Sequence, residues 1–362
     1  MGQLAVKGGD RVIPKGLKTK WPIFDEHDKQ ALIEVLESGL WCSAGFYFMN
    51  RESKVSQFEK AFAKWVGTKY AIATNSGTSA LVLALKAGGI EAGDEVIVPA
   101  ATFLASGTAV IMANAVPIFV DIDPETYQVS PDAVEEAITD KTRGIMPVHY
   151  GGYPAEMDRI MESAKKHDLV VVEDCAEAHG SEWRGRKVGS MGDLGCFSLQ
   201  LGKPLTCGEG GIIATNDEEL ATNCYSYGDL LRMPIKKGKD EDIFAFFQSM
   251  YEHYIPVGNF RMSEFLGALA LVQLSRLDEQ TEIRYRNGEY FAKELDKIDG
   301  ISALKRDPRV TKRGYYFYFL RYDSSKWKDV PRDKFMAALR GEGVICDTAH
   351  NEPVYKLSLI HI

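Results

Sequence analysis

The stretch KYAIATNSGTSALVLALKA, Lys69–Ala87, decides the fold. Tyr70 to Thr74 is a short apolar strand; Asn75-Ser76-Gly77-Thr78 breaks the pattern, and Ser79 to Ala87 reads as a helix. The alternation then repeats downstream. Strands are predicted at Glu95–Pro99, Val116–Asp121, Gly144–Val148 and Leu169–Glu173, with helices at Ala105–Ala113, Asp132–Ile138 and Ala155–His167 between them. Near-continuous apolar strands separated by amphipathic helices predict an α/β fold with a mostly parallel central sheet, covered by helices on both faces.

Upstream, Asp25 can cap a helix whose apolar face is Ala31, Leu32, Val35 and Leu36, stopped at Gly39. The aromatics Trp41, Phe46, Tyr47 and Phe48 follow, serving either packing or a substrate or subunit surface, and a second amphipathic helix spans Val55–Val66. Downstream, strands are expected at Leu194–Leu199 and Ile212–Thr215, and a helix at Glu218–Ser226. KKGKDED (Lys236–Asp242) is a charged, solvated loop. A long helix is expected from Ser263 to about Ile298, then a strand at Tyr315–Tyr322 and a helix at Arg332–Leu339 closed by Gly341 and Gly343. This divides the chain into an N-terminal segment (1–54), a large α/β domain (55–280) and a smaller C-terminal α+β domain (281–362).

Composition narrows the function class. The chain has 362 residues, 45% hydrophobic and 26% charged, with a net charge of −8. An acidic balance gives no reason to expect nucleic acid as a partner, and no apolar run reaches the roughly 18 residues of a membrane helix. The six cysteines are scattered without a CxxC pair, which argues against a zinc site or disulfide framework and fits a reducing cytoplasm. No metal is expected.

Ligands of parallel sheets bind outside the carboxyl ends of the strands, and the unusual residues cluster there. Gly77 and Thr78 open a helix, a ready anion site that equally reads as an ordinary capped turn. Phe103, after its strand, can stack on a planar ligand or simply pack. Asp174 ends an apolar strand, where a carboxylate is costly unless paired; Glu177 and His179 follow in the same turn. Finally CFSLQLGKPLTCGEGG (Cys196–Gly211) sets Lys203 among glycines. Alone, such a lysine reads as a solvated surface residue. Together these residues describe a ligand with a phosphate, a flat ring, a ring nitrogen for a carboxylate and an aldehyde for a lysine, which is pyridoxal 5'-phosphate.

The motifs NSGTSALVLAL, GDEVIVPAATF, VDIDPETY, IMPVHYGG, VVEDCAEAHGS, GDLGCFSLQLGKPLTCGEGGIIATND and GNFRMSEFLGALALVQLSRLDE stand in one order from Trp21 to Glu279. In them the chain resembles the sugar aminotransferases of the DegT/DnrJ/EryC1/StrS family, pyridoxal-phosphate enzymes of fold type I. The resemblance implies that Lys203 forms the Schiff base, Asp174 pairs with the pyridinium nitrogen and Phe103 stacks on the ring. Gly77, Thr78 and Ser198 hold the phosphate, and Asn259 reaches the phosphate of the neighbouring subunit in a homodimer. Lys203 separates the chain from the family's dehydratases, which carry histidine there.

The implied reaction is a ping-pong transfer of an amino group from L-glutamate or L-glutamine to a ketone on a cyclitol or sugar. WPIFDEHDKQALIEVLESGLW and KIDGISALKRDPRV point toward the branch acting on keto-cyclitols such as scyllo-inosose, or making aminohydroxybenzoate. Nucleotide-linked keto sugars are the alternative acceptors, and a non-catalytic cofactor-binding protein or inert fragment is the alternative of another class. Two departures stand out. Glu177 replaces the family's glutamine, which contacts the cofactor's phenolic oxygen, so a shifted cofactor spectrum is expected. The terminal LSLIHI (Leu357–Ile362) reads as a foreign tail on a truncated small domain.

Overall fold

The computed structural model describes residues 3–14, 20–43, 52–229, 258–348 and 352–356. Phe46, Tyr47 and Phe48, the Lys236–Asp242 loop and Leu357–Ile362 lie outside them. No helix among the described residues is long and apolar enough to cross a membrane.

The first described α-helices are α1 (Glu26–Ser38) and α2 (Lys54–Val66). Asp25 caps α1 as expected: its side chain accepts from the His27 N–H, and Asp28 reaches back to the Asp25 N–H. Then come β1 (Tyr70–Thr74), α3 (Gly77–Ala87), β2 (Glu95–Pro99), α4 (Leu104–Met112), β3 (Val116–Val120), α5 (Pro131–Glu136), β4 (Thr142–Ile145), α6 (Met157–His167) and β5 (Val170–Asp174). A small ribbon, β6 (Glu182–Trp183) and β7 (Arg186–Lys187), precedes β8 (Leu194–Ser198), β9 (Gly211–Thr215) and α7 (Glu218–Gly228). The long helix α8 (Glu264–Leu295) is capped by Ser263, whose side chain accepts from the Leu266 N–H.

The central sheet has seven strands in the order β1-β9-β8-β5-β4-β2-β3. Only β9 runs against its neighbours; β8-β5, β5-β4, β4-β2 and β2-β3 are parallel. Strand side chains alternate between faces, and the core divides accordingly. Ile72, Cys196 and Ile213 join α3, α4 and α7 in one apolar layer. Ala71, Phe197 and Ile212 join Phe58 and Phe62 of α2 and Leu274 and Leu277 of α8 in the other. Burying a side chain such as Phe62 stabilises by about 1.5–3 kcal/mol, and the two layers together fix the strand ends that carry the polar residues below.

The C-terminal elements are β10 (Ile301–Ala303), β11 (Val310–Lys312), β12 (Leu320–Tyr322) and α9 (Arg332–Glu342). β10 pairs with β12, while β11 adds to the β6-β7 ribbon of the large unit. Two expectations need correction here. The strand expected over Tyr315–Tyr322 is confined to Leu320–Tyr322. Its first half gives its backbone away: the Gly314 N–H donates to Gly152 O, and the Tyr316 and Phe317 N–H groups donate to Gly151 O, so no ladder forms. Gly341 lies inside α9, and Gly343 alone ends it.

Candidate active site

Three strand ends and two turns build the site. The β1-α3 turn comes first. Ser76 caps α3, its Oγ accepting from the Ser79 N–H at 3.1 Å. The opening amides of a helix have no intrahelical acceptor, so the Gly77 and Thr78 N–H groups face outward with the positive helix end behind them. Gly77 sits against Ser198 at the end of β8, where a side chain would not fit: a Cβ on Gly77 would lie 2.7 Å from Ser198 Cβ. Ser198 Oγ accepts from the Gln200 N–H at 3.4 Å. The pair forms a tight, donor-rich cradle of the kind a phosphate occupies.

Asp174 is the last residue of β5 and is 4% exposed. Oδ2 accepts from Ser106 Oγ at 2.8 Å and Oδ1 from the Ala176 N–H at 3.1 Å. Thr102 Oγ1 lies 2.8 Å from Ser106 Oγ, so the segment that bears Phe103 is tied to the carboxylate. Burial pushes the Asp174 carboxyl above its ordinary range, against the pull of Ser106, the Ala176 N–H and Lys203. A buried carboxylate with a donor on each oxygen and no cation in hydrogen-bond reach among the described residues fits a protonated ring nitrogen as its missing partner. Phe103, the residue before α4, is 50% exposed.

Lys203 lies in the turn after β8, its side chain 13% exposed. Its Nζ donates to Glu177 Oε1 at 3.4 Å and sits 4.2 Å from the centre of the Tyr316 ring. Glu177 Oε2 accepts from the Gly151 N–H at 2.9 Å. Gly151 needs its φ of 65°, and a Cβ there would lie 2.2 Å from the Phe319 ring. Burial raises the Glu177 carboxyl, opposed by Lys203 and the Gly151 N–H. His179 is fully buried beside Phe197; burial, then Lys203 and Arg284, push it down to about 3 against the pull of the Ser198 backbone.

The structure thus brings Asp174, Glu177 and Lys203 together, and sets Gly77, with Thr78 next in α3, against Ser198 at the same sheet edge. Asn259 is exposed in the loop before α8 and lies beside the β1-α3 turn: its Oδ1 accepts from the Arg261 N–H and its carbonyl accepts from Asn75 Nδ2 at 3.5 Å. Sequence reading missed Ser106, Gly151 and Tyr316. The Thr102–Ser106 spacing of four on a helix start was a legible signal for the first; the others depend on tertiary contact.

Behind the site, His149, Glu173 and Cys175 have donor atoms within 4.8 Å of one another. The His149 and Glu173 atoms are already engaged. His149 Nδ1 accepts from the Ala155 N–H and Nε2 pairs with Glu173 at 3.0 Å, while Glu173 accepts the Gly189, Met191 and Gly192 N–H groups. Burial pushes the Cys175 thiol well up. The cluster pins the loop leading into β8, which carries Ser198.

The chain is similar to known proteins over nearly its whole length. The model of the "DegT/DnrJ/EryC1/StrS aminotransferase family" matches residues 22–361. An L-glutamine:2-deoxy-scyllo-inosose aminotransferase of Streptomyces fradiae is 40% identical, covering 94% of this chain and 78% of its own. The L-glutamine:scyllo-inosose aminotransferase of Streptomyces griseus is 37% identical over 97% of this chain and 81% of its own. The crystal structure of 3-amino-5-hydroxybenzoic acid synthase superposes with a TM-score of 0.80 at 31% identity, over 94% of this chain and 84% of that one. The chain belongs to the DegT/DnrJ/EryC1/StrS aminotransferase family, and it is a pyridoxal-phosphate-dependent transaminase.

Proposed function

We propose that this chain moves the amino group of L-glutamine onto the ketone of a cyclitol of the scyllo-inosose type. The observation that carries the mechanism is the convergence of Lys203, Asp174 and the Gly77–Ser198 cradle on one sheet edge. The likeness to two glutamine-dependent cyclitol aminotransferases over nearly the whole chain supports the substrates.

In this reading Gly77, Thr78 and Ser198 bind the cofactor phosphate, Phe103 lies on the ring, and Asp174 keeps a proton on the ring nitrogen. Pyridoxal phosphate, when bound, supplies an electron sink for the bond broken at the donor's α-carbon. Lys203 holds the cofactor at rest, then takes the proton from the donor's α-carbon and returns it on the far side of the transfer. Its contact with Glu177 places Nζ beside the site at rest. Asn259 of a second copy completes the phosphate site, which makes the working unit a homodimer.

A screen of acceptors tests the substrate class. Purified protein is given L-glutamine or L-glutamate with scyllo-inosose, 2-deoxy-scyllo-inosose or a nucleotide-linked 4-keto sugar, and the amine is read by mass spectrometry. Cyclitol amines formed with glutamine are expected. Amination of the nucleotide sugar alone would overturn the assignment.

A further inference from the structure

We propose that Glu177 is a catalytic proton carrier for Lys203, a role that the glutamine of the resembling family cannot play. The inference rests on the reading of Lys203 as the residue that holds the cofactor.

Glu177 is placed to take the proton of Nζ. Among the described residues, Glu177 Oε1 at 3.4 Å is the one hydrogen-bond acceptor Nζ reaches, and the Tyr316 ring covers another side at 4.2 Å. The carboxyl group is held in place from its other oxygen, which accepts from the Gly151 N–H at 2.9 Å. Gly151 is fixed in turn because its carbonyl accepts the Tyr316 and Phe317 N–H groups. Lysine, carboxylate, glycine turn and Tyr316 therefore close into a ring that sets Oε1 against Nζ. The charged and titratable groups that face Glu177 are Lys203, Asp174 and Tyr150. Burial favours its neutral form and Lys203 its charged form, the balance a proton carrier requires.

The step balances simply. An ammonium nitrogen has no lone pair, so Nζ bonds to a carbonyl carbon only after an N–H bond breaks. The proton passes to Oε1, a carboxylate becomes a carboxylic acid, and the free lone pair attacks; water leaves from the carbonyl. When the lysine is released, the acid returns the proton. An amide at position 177 can accept a hydrogen bond but carries no proton away, so the proton must go to solvent.

Proton counting tests this without reference to turnover. The full chain, stripped of cofactor, is titrated with pyridoxal 5'-phosphate by calorimetry in two buffers of different ionisation enthalpy, which gives protons released per cofactor bound. Glu177→Gln is expected to release about one proton more than the wild type, as one carrier is lost. Glu177→Asp, which keeps a carboxyl, is expected to stay near the wild-type count. Glu177→Ala must show the same excess as Glu177→Gln, and serves if the amide variant fails to fold. Equal counts in wild type and both carrier-free variants would overturn the inference. Borohydride trapping of the cofactor on Lys203 in the same samples tests the underlying site reading separately, whatever the proton count; wild-type protein that takes up no cofactor removes that reading and this inference with it.

Discussion

Buried ionisable groups define this site at the scale of single residues, and each is explained by a neighbour. Asp174 keeps its place at the end of an apolar strand because Ser106 and the Ala176 N–H each occupy one oxygen. His179 is the contrary case, a fully buried imidazole held neutral and pushed down to about 3 by burial. Its unfolded value is 6.5, so between these two the unfolded chain binds a proton that the folded chain refuses. The resulting stability is present above about pH 6.5 and is lost as the pH falls toward 3. Urea unfolding of wild type and His179→Gln at pH 7 and pH 5 checks this. Moving to pH 5 is expected to cost the wild type about 2 kcal/mol more than the variant. An equal loss in both would show that His179 does not titrate this way. Lys203 and Asp174 were legible in the sequence because their types are out of place in an apolar, glycine-rich setting. Tyr316 was not, because a tyrosine among aromatics carries no sign of which side chain it will cover.

Among the elements, the β1-α3 turn shows why strands and helices could be read while their contacts could not. The apolar run, the Ser76 cap and the helical stretch are local, and β1 falls at Tyr70–Thr74 as read. That Gly77 must be glycine because β8 passes against it is not local: the obstacle is Ser198, far along the chain. Gly77→Ala puts a methyl 2.7 Å from Ser198 Cβ and 3.1 Å from its Cα. Either the helix start or the β8 end must move, and both frame the proposed phosphate cradle. Cofactor affinity is expected to fall about tenfold or more, roughly 1.4 kcal/mol, in a fluorescence titration; unchanged affinity would remove Gly77 from the cradle. The first half of the Tyr315–Tyr322 segment was misread for a related reason. Its alternation matched a strand, but its amides are spent on the Gly151–Gly152 turn, and no local pattern announces a hydrogen bond to a distant carbonyl.

For the whole molecule, the layer order followed from the strand-helix alternation, and the antiparallel β9 beside β1 is what tertiary assembly added. We propose the division into an N-terminal segment, a large cofactor domain and a smaller C-terminal domain as the frame for the reaction. The packing of β11 onto the β6-β7 ribbon supports a small domain anchored to the large one. The proposed dimer predicts a solution mass about twice 40.3 kDa by sedimentation equilibrium, and a mass of one chain at micromolar concentration would contradict it. The central claim is that Lys203 carries the cofactor. Its most direct test is to load the protein with pyridoxal 5'-phosphate, reduce it with borohydride and map the modified peptide by mass spectrometry. The account predicts a single phosphopyridoxyl group on Lys203, absent from Lys203→Ala; modification at another lysine, with Lys203 untouched, would contradict it.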